Sequence, residues 1–144
     1  MELISDPGAV DWRELAAIYE AAGLGVRDPR TIKRAFEASY KSCFAYEGCA
    51  LIGAGRAISD GQWHSLIVDV AVTPPRQGRG VGRSIIQNLL SELPSLLVVL
   101  VSVPNQQEFY RRLGFSRLTT AYAKSSAAKS LAERGYFERE EQPR

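Results

Sequence analysis

Buried strands alternate with helices along this 144-residue chain, which places it in the α/β class. Three observations carry that assignment. Leu66–Val72 is an apolar, β-branched run that suits a buried strand. Ile85, Ile86, Leu89 and Leu90 follow at helical spacing, and Leu96–Val103 is a second apolar strand. A strand–helix–strand crossover of this length implies a parallel pair. The length fits one domain spanning 1–144.

The elements follow in order. Glu2–Ser5 reads as a short first strand. Asp11 is placed to cap a helix whose inner face is Trp12, Leu15, Ile18 and Tyr19, with Glu14 three residues on to complete a capping box. Gly23 and Gly25 end it. Asp28-Pro29 opens a second helix, with Ile32, Ala35, Phe36 and Tyr40 facing inward. Ser42–Tyr46 and Ala50–Ile58 read as an antiparallel pair turning at Glu47-Gly48-Cys49, and Gly53 and Gly55 weaken the second strand or mark a bulge.

The central strand follows at about 64–73, and Thr73-Pro74-Pro75 stops it. A helix from about 79 to 93 ends near Pro94. Asn105 is expected to cap the next helix, with Phe109, Tyr110 and Leu113 as its stripe and Gly114 as its end. Phe115–Leu118 and Gly135-Tyr136-Phe137 are expected as short late strands, and residues 119–130 show no clear period. The charged tail Glu138–Arg144 is expected to fray.

Composition excludes several classes. The formal net charge of +2 is too small to argue for nucleic acid. A single histidine gives no metal-ligand spacing, so no metal is expected. Two cysteines, Cys43 and Cys49, are too few for a disulfide framework, and reduced thiols in a cytoplasmic chain are the expectation. The first residues lack the basic-then-apolar pattern of a signal peptide. No apolar run approaches the roughly 18–20 residues of a membrane span.

The turn between the central strand and its helix carries the chemistry. Gly78, Gly80 and Gly82 sit at alternate positions, with Arg76, Arg79 and Arg83 around them. A helix N-terminus offers unpaired N–H groups and partial positive charge, and glycines let an anion approach the backbone. Guanidiniums suit phosphate. The turn reads as a diphosphate site, or as a glycine-rich connection with a solvated basic face. A Walker A loop is excluded, because Gly78 to Gly82 leaves three intervening residues and Arg83 stands where lysine belongs. A dinucleotide loop is excluded, because the spacing is G-x-G-x-G and the region around Leu96–Val101 holds no acid.

Gln77-Gly78-Arg79-Gly80-Val81-Gly82, after Val72-Thr73-Pro74, resembles the acyl-CoA signature Q/R-x-x-G-x-G/A of the GNAT superfamily of N-acyltransferases. Asn105 to Phe115 resembles that superfamily's second signature, N-x-x-x-F-Y-x-x-x-G-F. The resemblance is strong from about Ala50 to Phe115. It implies a mixed central sheet of six to seven strands with a splayed parallel pair, flanked by about four helices. It implies acetyl-CoA as cosubstrate. The backbone of Val70, Ala71 and Val72 would pair with the pantetheine amides. Gln77, Gly78, Arg79, Gly80, Val81, Gly82 and Arg83 would cradle the diphosphate, and Asn105 and Tyr110 would contact the cofactor.

By position Tyr110 reads as a core tyrosine on an apolar helix face or as an acid, and the resemblance implies that it is the catalytic acid. A CoA thiol has a pKa near about 8.5 and a phenol one of about 10, so a nearby phenol can protonate the leaving sulfur. Asp69 is the charge within the central strand, and alternation puts it on one face with Ile67 and Ala71, opposite Val68, Val70 and Val72. A carboxylate there binds the acceptor's ammonium and takes its proton, or pairs with an arginine as a structural group. His64 reads as a base or an ordinary strand residue. Trp63, Tyr40, Phe36 and Tyr46 read as an aromatic pocket or as core.

Ser59-Asp60-Gly61 with Leu66–Val70 also resembles the plastid and cyanobacterial serotonin (arylalkylamine) acetyltransferases. The expected reaction is transfer of acetyl from acetyl-CoA to a primary amine of a small molecule, by direct attack. Protein acetylation and CoA binding without catalysis are the rivals. Members of the superfamily often form homodimers, and the edge near the last strand is the expected surface.

Overall fold

The computed structural model describes residues 1–94 and 96–138, so the tail expected to fray, Glu138–Arg144, lies outside the described residues except for Glu138. The chain divides into two compact units, Met1–Val101 and Ser102–Arg144. The first unit holds a mixed sheet of β1 (Glu2–Ile4), β2 (Lys41–Glu47), β3 (Ala50–Ser59), β4 (His64–Val72) and β5 (Leu97–Leu100), in that spatial order. Neighbours are antiparallel except β4 and β5, which are parallel as the crossover required.

Two helices cover one face. Asp11 caps α1 (Trp12–Ala21), accepting from the amides of Arg13 and Glu14. Asp28 caps α2 (Pro29–Glu37) in the same way, with Pro29 opening the helix. Glu14 does not complete a capping box. Its carboxylate accepts from the Leu51 amide at 3.2 Å, tying α1 to β3. Leu15, Ile18, Tyr19, Ile32 and Phe36 bury against Phe44, Leu51, Ala54 and Ala71. The Trp12, Phe36 and Phe44 rings meet with centroids 5.2–6.0 Å apart. Phe36 is therefore core, whereas Tyr40 and Trp63 are 50% and 68% exposed.

The helix α3 (Val81–Leu90) covers the other face with Val81, Ile85, Ile86 and Leu89. It is shorter than the 79–93 expected. Gly55 is what lets it lie close. A Cβ there would sit 2.9 Å from Ile85 Cγ2 and 3.1 Å from Val70 Cγ2.

The second unit contains α4 (Gln107–Arg112) and α5 (Ala128–Glu133). The sheet has five strands among the described residues, not six to seven, because 115–118 and 135–137 form no ladder. Their aromatic residues serve helix ends instead. Gly114 takes φ +89°, its amide reaches the Arg111 carbonyl, and the Phe115 amide reaches that of Tyr110. Phe115 then packs on Tyr110, with centroids 6.2 Å apart, in a Schellman cap. Gly135 and Tyr136 close α5 by the same pattern on Ala132 and Leu131. Asn105 is not the cap of α4. Gln106 is, without a side-chain bond, and Asn105 sits at φ +68°. No described helix is long and apolar enough to cross a membrane.

Candidate active site

β4 delivers the glycine-rich turn to the N-terminus of α3. After Val72 the Thr73 amide still reaches the Ile52 carbonyl, and Pro74–Arg76 forms a 3-10 turn. The Gln77 side chain donates back to the Val72 carbonyl at 2.9 Å, folding the turn onto the strand end. Gly78 and Gly80 take φ +73° and +83°, which L residues rarely adopt, and open space lies where their Cβ atoms would be. Gly80 is the N-cap of α3 and offers no side chain to the helix amides. Among the described residues, the amides of 78–83 find no acceptor, the first helical bond being from Ser84 to Gly80. They form an unspent set of donors at a helix N-terminus.

The arginines divide their labour. Arg76 is held by Glu47, with Nε and Nη2 at 2.7 and 2.8 Å from the two carboxylate oxygens. That hydrogen bond is the main reason the Glu47 carboxyl is held below the usual range. Arg79 and Arg83 are exposed and form no ion pair with the described residues. The turn thus carries free guanidiniums and bare amides, which fits a diphosphate.

β4 outruns β5. Their pairing ends at Ile67 and Leu100, and β4 continues to Val72 with β3 as its sole strand partner among the described residues. Val70, Ala71 and Val72 lie on this unaccompanied stretch, which leads into the turn.

The break in pairing coincides with a bulge. Ala54 faces Ala71, but Arg56 faces Val68, so Asp69 and Val70 together oppose Gly55. Asp69 adopts φ +56°. The extra residue overturns the expected alternation. Ile67 lies opposite Ala57, and Ala57 opposite Lys41, whose ammonium reaches Glu92 just beyond α3. Ile67 therefore faces α3, while Asp69 and Ala71 face α1 and α2.

Asp69 is paired twice on that face. Arg27 Nη1, from the loop between α1 and α2, lies 2.7 Å from Oδ1. Arg56 Nε lies 2.7 Å from Oδ2. The Tyr19 hydroxyl donates to the Asp69 carbonyl at 3.0 Å. Burial pushes the Asp69 carboxyl up, but the two arginine hydrogen bonds outweigh it and hold it below its ordinary range. Burial, and then Asp69, raise the Tyr19 phenol strongly, so it stays protonated. Sequence reasoning missed Arg27 and Tyr19. Arg56 had a signal, being a charge inside β3 beside the strand holding Asp69.

In the second unit, Asn105 is exposed just before α4 and Tyr110 is half-buried within it, between Phe109 and Phe115. Burial raises the Tyr110 phenol. His64 is exposed at the start of β4. Among the described residues no cluster of three or more His, Cys, Asp or Glu could hold a metal ion.

A family model described as an acetyltransferase (GNAT) domain matches residues 39–117, more than half of the chain. The chain is 32% identical over 127 residues to a histone acetyltransferase of Glycine max, covering 78% of this chain and 55% of that one. It is 30% identical over 116 residues to a chloroplastic serotonin N-acetyltransferase of Oryza sativa, covering 74% and 57%. The chain thus spans little more than half the length of these relatives. A solved structure of a probable acetyltransferase from methicillin-resistant Staphylococcus aureus superposes with a TM-score of 0.75 at 22% identity, covering 86% of this chain and 98% of that one. That likeness is one of fold.

Proposed function

The chain belongs to the GNAT acetyltransferase family, and we propose that it transfers acetyl from acetyl-CoA to the primary amine of a small molecule. The observation that carries this reading is the row of unspent amides at residues 78–83, at the end of a strand that has lost its parallel neighbour. When bound, acetyl-CoA supplies an activated thioester. The chain's own residues bind and orient. The amides of 78–83, with Arg79 and Arg83, hold the diphosphate, and the β4 edge at Val70, Ala71 and Val72 offers backbone groups to the pantetheine arm. Asn105 is carried over as a cofactor contact from the family resemblance alone. Positioning of this kind converts a bimolecular attack into an effectively unimolecular one.

Tyr110 holds the proton that the departing sulfur takes up. Asp69 fits this scheme as a positioning residue, since both of its oxygens are engaged by arginines. Protein acetylation is a second reading, favoured by the relative named a histone acetyltransferase. Thiol release from acetyl-CoA, measured with a panel of small amines and lysine peptides, separates the readings. Turnover with peptides alone would move the assignment to protein substrates. Tyr110→Phe should lower kcat about 10²-fold or more, the usual share of one acid–base group, with acetyl-CoA affinity nearly unchanged. Equal kcat in the two forms would remove Tyr110 from the chemistry.

A further inference from the structure

The bulge carries more positive charge than negative. Two guanidiniums, Arg27 and Arg56, meet one carboxylate, Asp69, and occupy both of its oxygens. Tyr19, touching the same cluster, stays neutral. Arg27 and Arg56 are also the charges that act on Asp69. An acceptor's ammonium therefore meets no vacant carboxylate here.

The two arginines differ in what they have left to give. The Arg56 side chain is 15% exposed, with Nε on Asp69 and Nη1 3.3 Å from Ser39 Oγ. The Arg27 side chain is 37% exposed and spends Nη1 on Asp69. A guanidinium has five N–H donors, so most of Arg27's remain. Its position is nonetheless set. Asp69 grips one end, and the guanidinium lies over the Tyr19 ring, 5.1 Å from the centroid. Arg27 is a partly exposed cation anchored on Asp69, two residues past the point where β5 leaves β4.

We propose that the acceptor is a small amine that also bears a carboxylate or phosphate, and that Arg27 binds this anionic group. Arg56 and Asp69 are positioning residues that hold Arg27 at the bulge. The inference rests on the acetyl-transfer reading above and adds the substrate class. A planar fork suits either anion, bidentately. The excess positive charge also disfavours an ammonium nearby, so the amine gives up its proton to solvent water more readily.

Matched acceptors test this: tryptamine against tryptophan, and ethanolamine against serine and phosphoethanolamine. In wild type the anion-bearing member should have the higher kcat/KM by about tenfold or more, the size of one charge-assisted hydrogen bond. Arg27→Gln should collapse that ratio, and Arg27→Lys should retain part of it. Serine against phosphoethanolamine tells carboxylate from phosphate. Melting curves and acetyl-CoA calorimetry on each variant establish that it is folded and binds the cosubstrate. If no pair turns over, calorimetric binding of the same pairs to the CoA-loaded protein is read in the same way. No preference in wild type, or a preference that Arg27→Gln leaves intact, overturns the proposal. Absence of acetyl-CoA binding in wild type would overturn the acetyl-transfer reading, and this inference with it.

Discussion

Asp69 shows how one residue can carry strain, charge and placement together. A non-glycine residue at φ +56° costs on the order of 1–3 kcal/mol unless its surroundings hold it. Here Arg27, Arg56 and Tyr19 grip its carboxylate and its carbonyl. Asp69→Asn isolates the charge, because asparagine tolerates this backbone region. The variant should lose about 1–3 kcal/mol at neutral pH, between the values for an exposed and a buried pair, because the cluster is part-buried. The folded carboxyl titrates below its unfolded value of about 3.9. Its contribution is therefore complete above that value and fades as pH falls through the folded one. Urea midpoints at pH 7 and near pH 3 should show the gap between wild type and variant narrowing on acidification. A gap that stays constant would mean the stabilisation does not come from the ionised carboxylate.

At the scale of the element, β3, β4 and α3 act as one unit built around a missing side chain. Gly55 faces the bulge and admits α3 to the sheet. Alanine normally improves a strand over glycine. Gly55→Ala should nevertheless destabilise by about 1–3 kcal/mol through overpacking, since its Cβ would press on Ile85 and Val70. A midpoint equal to or above wild type would show that α3 is not held at this spacing. The strand, the glycine turn and the helix were legible in the sequence because their signals are local: β-branched runs, alternate glycines and a helical period. The bulge was not. Val68-Asp69-Val70-Ala71-Val72 alternates as any half-buried strand does, and a bulge exists only relative to a partner's register. Arg27 was hidden for a related reason, as a loop arginine 42 positions from Asp69 in sequence. The late strands failed because a glycine followed by an aromatic residue ends a helix as readily as it begins a strand.

At the scale of the molecule, the proposed activity requires that ligand binding be coupled to folding through the turn at 78–83, which the protein by itself leaves short of acceptors. A ligand that binds only the folded state stabilises it by roughly 2.7 kcal/mol at a hundredfold excess over Kd. For a chain of this size that is a rise of several degrees in Tm. Which part of the ligand supplies the stabilisation is what identifies the site. Pantetheine has no phosphate and can use only the β4 edge. Dephospho-CoA adds the diphosphate and an adenosine, and CoA adds a further phosphate on the ribose, so the response of Gly80→Asp tells the diphosphate's share from the adenosine's. If the amides of 78–83 hold the diphosphate, the large step in Tm falls between pantetheine and dephospho-CoA, with a smaller one to CoA. Gly80→Asp places a carboxylate at the N-cap of α3, where φ is +83°, and should flatten that step while leaving the pantetheine response in place. A protein that responds to all three ligands alike, in both forms, would have its phosphate contacts elsewhere and its glycine turn would be a connection only.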